Sequence, residues 1–166
     1  MRYDTAPPRL VDGRGLRVAI VVSRFHDEVT RELQAGAERV LRAAGVESHA
    51  IEVFDVPGAF EIPLASRAAA RTGRFAAVVC LGCIIRGETP HFEYIASAVA
   101  HGLAEAMGAT GVPMTFGVLT TNSLEEATAR AGDGPSNKGW EAAAAALEMA
   151  RVLEQIGASR APTGAP

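Results

Sequence analysis

At 166 residues, with 48% hydrophobic and 21% charged side chains, the chain suits one compact domain and is too short for two comfortable ones. A formal net charge of −3 gives no general electrostatic reason to bind nucleic acid or an anionic membrane, so any anion site has to be local. No apolar run approaches the roughly 20 residues that cross a bilayer, and an N-terminus carrying Asp4, Pro7 and Pro8 lacks the basic-then-apolar order of a signal peptide, so a cytoplasmic home is expected.

Residues 1–15 are polar and proline-broken, an N-terminal arm that is flexible or an edge strand awaiting a partner. The first strand is predicted over Leu16–Val22 and runs into Ser23, Arg24 and Phe25. Asp27 suits the cap of a helix to Ala44, ended by Gly45. A second strand, about His49–Phe54, enters the segment Val56-Pro57-Gly58-Ala59-Phe60-Glu61-Ile62-Pro63, whose prolines and glycine turn the chain sharply into an alanine-rich helix stopping near Gly73. Ala76–Ile85 is almost wholly apolar, as expected of a strand covered on both faces of a parallel sheet. After Arg86, Gly87 and Glu88, Thr89 reads as a cap and Pro90 as the first position of a helix to about Met107, with Gly108 and Gly111 closing that unit. Pro113 leads a fourth strand, Met114–Thr120, and Ser123 with Glu126 forms a capping box for a short helix ending near Ala131. A glycine-rich loop precedes the last helix, Lys138 to about Ile156, with Gly157 behind it and 158–166 read as a disordered tail.

Four strands alternating with helices, plus one extra helix, predict a three-layer α/β/α sandwich with a four-stranded parallel sheet over residues 16–157. Ligands of such sheets bind beyond the carboxyl ends of the strands. Phe25, the 56–61 turn, the 82–91 loop and Phe116 all fall at or near that edge.

Two motifs mislead. Cys80 and Cys83 have C-x-x-C spacing, but residues three apart on a strand point to opposite faces, and no second pair completes a zinc site; buried, reduced cysteines are expected. Gly82 to Thr89 has the outline of a phosphate-binding loop, yet Glu88 stands where its lysine belongs. His91, in the first turn of a helix beside a candidate anion loop with Arg86, would be held as a neutral base by the helix dipole, or is merely structural. Lys138 is the only lysine among 16 basic residues, either an ammonium kept for a purpose or an accident of an arginine-rich composition.

Three segments together carry a resemblance: Val56 to Pro63; Leu81-Gly-Cys-Ile-Ile-Arg-Gly-Glu-Thr-Pro-His-Phe-Glu-Tyr94; and Phe116-Gly-Val-Leu-Thr-Thr followed by Arg130-Ala-Gly and Asn137-Lys-Gly139. In this order and spacing the chain resembles the 6,7-dimethyl-8-ribityllumazine synthases of riboflavin biosynthesis, from Arg17 to about Leu153. The resemblance implies a flavodoxin-like fold and a transferase that condenses 5-amino-6-(D-ribitylamino)uracil with 3,4-dihydroxy-2-butanone 4-phosphate, releasing phosphate and water, without metal or organic cofactor. It implies that Phe25 stacks on the pyrimidine, that Ala59, Phe60 and Glu61 line the ring and ribityl chain, and that Cys83, Ile84 and Ile85 meet the ring edge. Backbone at Glu88 and Thr89 and the guanidinium of Arg130 would take the phosphate, His91 would move protons, and Lys138 would stabilise negative charge.

In that family Phe116, Arg130 and Lys138 come from a neighbouring subunit of a homopentamer, and the arm adds a strand to the neighbour's sheet. Decamers, 60-subunit icosahedral shells and association with riboflavin synthase also occur. Residues 130–138 have the length of shell-forming members, although Gly134 stands where a second lysine is usual, Pro135 stiffens the turn, and His26 stands where asparagine is common. A binding protein of this fold without turnover, and an imine-forming aldolase using Lys138, stay open as other readings.

Overall fold

The computed structural model describes residues 9–134 and 136–158. Four strands, β1 (Val18–Ser23), β2 (Ile51–Val56), β3 (Ala77–Ile85) and β4 (Met114–Thr121), form one parallel sheet in the order β2-β1-β3-β4. The helices are α1 (Asp27–Ala43), α2 (Ile62–Arg71), α3 (His91–Thr110), α4 (Leu124–Ala131) and α5 (Lys138–Ala158).

The expected three layers are present, and strand alternation builds them. Val18, Ile20 and Val22 of β1 join Ala77, Val79, Leu81 and Cys83 of β3 in a core shared with α1, α4 and α5. Ala19, Val21, Val78, Cys80 and Ile84 face the other way, onto α2 and α3. Every residue of β1 is buried because both faces are covered. β2 and β4 are the edges, and both are only partly buried.

The expected boundaries hold to within a few residues, and the exceptions have local causes. The second strand starts at Ile51 because Ser48–Ala50 form a 3-10 turn. Thr89 does not cap α3: Pro90 occupies the N-cap position, and no side chain caps that helix end. Ser123 Oγ accepts from Glu126 N at 3.2 Å, but the Glu126 carboxylate reaches back one residue further than a capping box requires, to Asn122 N at 3.0 Å. Gly157 does not end α5, which continues through it to Ala158. Gly82 lies inside β3 rather than in a loop, the conformational reason the phosphate-loop outline fails; a Cβ there would stand 3.0 Å from Ile62 Cδ1.

Residues at the end of the expected arm are tied to the chain's own body. Gly13 N donates to Ala44 O at 2.7 Å, and Arg151 donates to Asp12 O and Arg14 O at 2.8 Å each. The remainder of the expected arm, residues 1–8, and the tail 159–166 lie outside the described residues, as does Pro135.

Cys80 and Cys83 are free, buried and on opposite faces of β3. Burial pushes the Cys80 thiol up to about 12 and the Cys83 thiol up to about 11, the Glu28 carboxylate adding to the latter. Unfolding returns both to an ordinary value of 9, so above that pH the native state holds more protons than the unfolded chain. Their contribution is therefore complete below about pH 9 and declines as pH rises through the folded values. Urea midpoints should fall between about pH 8 and about pH 10.5, and less so in a Cys80→Ala, Cys83→Ala double variant. Equal declines in the two proteins would refute the thiol origin.

Candidate active site

A cleft of about 370 Å³ opens beyond the carboxyl ends of β1 and β3. After β1 the chain runs out to β2 on one side, then returns to β3 on the other, so this is the point where strand order reverses and a crevice forms. Phe25 forms one wall. Its backbone is held by continued pairing past β1, with Arg24 N donating to Val56 O at 2.9 Å and Phe25 N to Pro57 O at 3.3 Å. Phe25 is 69% exposed, an apolar face that a planar guest would cover. Gly58, Ala59 and Phe60 form a second wall, and Cys83, Ile84 and Ile85 at the end of β3 form the floor. His91, Phe92 and Ile95 of α3 close the far side. Among the described residues the wall holds two imidazoles, His26 and His91, and no arginine or lysine.

A second cleft, of about 490 Å³, has the complementary character. It lies against the edge strand β4, between the last turn of α4 and the first turn of α5, and is lined by Phe116, Arg130, Lys138 and Glu141. Phe116 is 48% exposed. Arg130 lies in the last turn of α4 with Nη1 donating to Glu126 O at 2.8 Å, and Lys138 Nζ is held 2.7 Å from both carboxylate oxygens of Glu141. No described residue lines both clefts. One chain thus separates an apolar, histidine-bearing crevice from a cationic one.

This division accompanies a sequence match over most of the chain. A sequence model of the 6,7-dimethyl-8-ribityllumazine synthase family matches residues 15–154. The chain belongs to that family. It is 48% identical over 153 residues to the 6,7-dimethyl-8-ribityllumazine synthase of Syntrophus aciditrophicus (strain SB), covering 90% of this chain and 99% of that one. The synthase is an enzyme of riboflavin biosynthesis that makes 6,7-dimethyl-8-ribityllumazine.

Within the synthase fold, most sequence-predicted residues reach one of the two clefts. Phe25, Ala59, Phe60, Cys83, Ile84, Ile85 and His91 share the first; Phe116, Arg130 and Lys138 share the second. Glu61 is on neither wall: its Oε2 accepts from Gly58 N at 2.9 Å and shapes the 3-10 turn Ala59–Glu61 that presents Phe60. Glu88 and Thr89 are exposed in the loop between β3 and α3. Arg86 does not enter the first cleft wall; its guanidinium lies 5.5 Å over the Phe92 ring.

One residue of the clefts escaped the sequence reading. Glu141 had a visible signal, since an acid three residues after a lysine on a helix faces it. His26, which stands where asparagine is common in the family, adopts φ 57°, ψ 52°, the left-handed conformation, while its carbonyl accepts from Val29 N and Thr30 N to start α1. That backbone favours glycine and asparagine and penalises β-branched side chains. His26→Val should therefore lower stability by about 1–2 kcal/mol, with His26→Asn neutral or better. Equal thermal midpoints for His26→Val and the wild type would show that no strain resides there.

Proposed function

We propose that the two clefts are halves of one active site, completed when chains assemble, and that it condenses 5-amino-6-(D-ribitylamino)uracil with 3,4-dihydroxy-2-butanone 4-phosphate. The observation that carries this is the split itself: among the described residues, the first cleft offers a stacking face and a histidine without an arginine or lysine, and the second offers an arginine and a lysine without a histidine. A substrate pair made of a planar ring and a phosphate needs both. In this reading the pyrimidine stacks on Phe25, backbone groups of Cys83 to Ile85 meet its edge, and Ala59, Phe60 and Glu61 border the ribityl chain. The phosphate is taken by Arg130 with backbone at Glu88 and Thr89, while Phe116 closes over the ring.

The reaction joins the pyrimidine amine to the ketone as an imine, with loss of water, then eliminates phosphate and closes the second ring onto the remaining carbonyl with loss of a second water. His91 takes and returns the protons these steps move. Lys138, fixed by Glu141, stands as a positive charge near developing negative charge. That pairing favours the synthase over an aldolase that would need Lys138 as a free amine nucleophile. Holding two substrates against each other supplies much of the rate.

Assembly as a homopentamer, extending to a decamer or a 60-subunit shell, belongs to the same reading, as do a cytoplasmic location and association with riboflavin synthase. An open apolar groove beside β4, formed by Met107, Val112, Met114, Met149 and Leu153, supports burial of this edge, and Thr115 continues it into the second cleft. No helix among the described residues is long and apolar enough to cross a membrane.

Mixing the purified protein with both substrates tests the chemistry. The lumazine's absorbance should appear together with free phosphate. Binding without phosphate release would support a turnover-free binding protein instead, and borohydride trapping of substrate on Lys138 would support the aldolase.

A further inference from the structure

Asn137 is 2% exposed, and its amide is fully used. Nδ2 donates to Glu32 O at 3.0 Å and Ala131 O at 2.8 Å, while Oδ1 accepts from Gly139 N at 2.8 Å and Trp140 N at 3.1 Å. Two carbonyls on one side and two N–H groups on the other permit only one orientation of the amide. Its partners belong to α1, the end of α4 and the first turn of α5. Gly36 of α1 makes room for it, since a Cβ there would overlap the amide.

The described residues of the loop joining α4 to α5 have few side-chain bonds of their own. Gly132, Asp133 and Ser136 are exposed, and the Asp133 carboxylate, 92% exposed, meets Arg39 only at 3.4 Å. One bond of Asn137 ends on Ala131, the residue after Arg130, and its own carbonyl carbon is bonded to Lys138. The two cations are therefore connected through this amide by a path shorter than the chain between them.

We propose that Asn137 is a positioning residue that fixes the separation of Arg130 and Lys138 across the second cleft and makes it independent of the loop over residues 132–136. The proposal rests on reading that cleft as the phosphate-binding half of the active site.

Asn137→Asp separates its functions. The carboxylate still accepts from Gly139 and Trp140, so α5 keeps its start, but both donors to Glu32 and Ala131 are gone and an oxygen faces two carbonyls. In the assembled enzyme, KM for 3,4-dihydroxy-2-butanone 4-phosphate should rise about tenfold or more, with KM for the pyrimidine within about twofold. Inserting Gly-Ser between Gly132 and Asp133 should leave both constants within about twofold. An unchanged phosphate-substrate KM in Asn137→Asp overturns the proposal, as does an insertion that raises it equally. If Asn137→Asp fails to assemble, the insertion decides alone: constancy upholds the assignment, and a tenfold rise removes it. Arg130→Ala is measured alongside. No effect there refutes the reading of the cleft, whereas an effect there without one in Asn137→Asp refutes only the role of Asn137.

Discussion

Subunits carrying His91→Ala and subunits carrying Arg130→Ala, co-assembled in equal amounts, should recover roughly a quarter of the wild-type rate although each variant alone is strongly impaired. The two residues line different clefts of one chain, so a site shared between chains draws its histidine from one subunit and its arginine from the next. Random mixing then leaves about one site in four with both groups intact. Loss of the acid/base residue should slow turnover by about a hundredfold if proton transfer limits the rate, and less where positioning dominates. Loss of the arginine should appear chiefly in KM for the phosphate substrate, removing an interaction worth about 2–5 kcal/mol when its partner is left unpaired. The mixture is assayed below saturation, after mass measurement has verified mixed assemblies. A mixed rate equal to the mean of the two variants would place the whole site within one chain and overturn the shared-site reading.

Gly139→Ala should be the most damaging small substitution in the fold. A Cβ at this position would overlap the backbone of Leu33, where the first turn of α5 lies directly against α1. Leu33 is fully buried, and a backbone carbonyl cannot swing aside as a side-chain tip can, so the helices must separate. Overpacking of this kind costs about 3 kcal/mol or more, which for a chain of this size lowers Tm by roughly 10 °C. Gly157→Ala supplies the control. That glycine lies in the same helix, with nothing within 4 Å of an added Cβ, and the exchange should be neutral or stabilise by about 0.5–1 kcal/mol. Similar thermal midpoints for the two variants would mean that the α1–α5 contact yields easily. Because α5 begins at Lys138, a destabilised Gly139→Ala protein that still assembles should also show a raised KM for the phosphate substrate.

Much of the architecture was legible because it is written in local patterns. The unbroken apolar run of β3 required cover on both faces, and the alternating helices required parallel strands. The cysteines illustrate the same rule: period two alone placed Cys80 and Cys83 on opposite faces, where they stand in different cores. Boundary errors arose where neighbouring groups compete for the same backbone donors, as with Glu126 reaching Asn122, or where a residue has alternatives, as with Pro90 at the N-cap itself. The candidate site was legible chiefly through three motif segments whose order resembled the synthase family.

By itself, then, the sequence determined the layered α/β class, the strand-end location of the candidate site, and the family to which Phe25, His91, Arg130 and Lys138 are referred. The tertiary structure decided how those residues are partitioned. Strand order β2-β1-β3-β4 sends Phe25 and His91 to the switch point beside β3, while β4 at the edge gathers Phe116, Arg130 and Lys138 into a separate crevice. It also decided that Glu141 grips Lys138 and that the Asn137 amide binds three helices together. Periodicity and capping depend on neighbours a few residues apart, and so can be read from a chain. Convergence of groups as distant as Glu32 and Asn137 depends on how helices cross, which only the packed fold specifies.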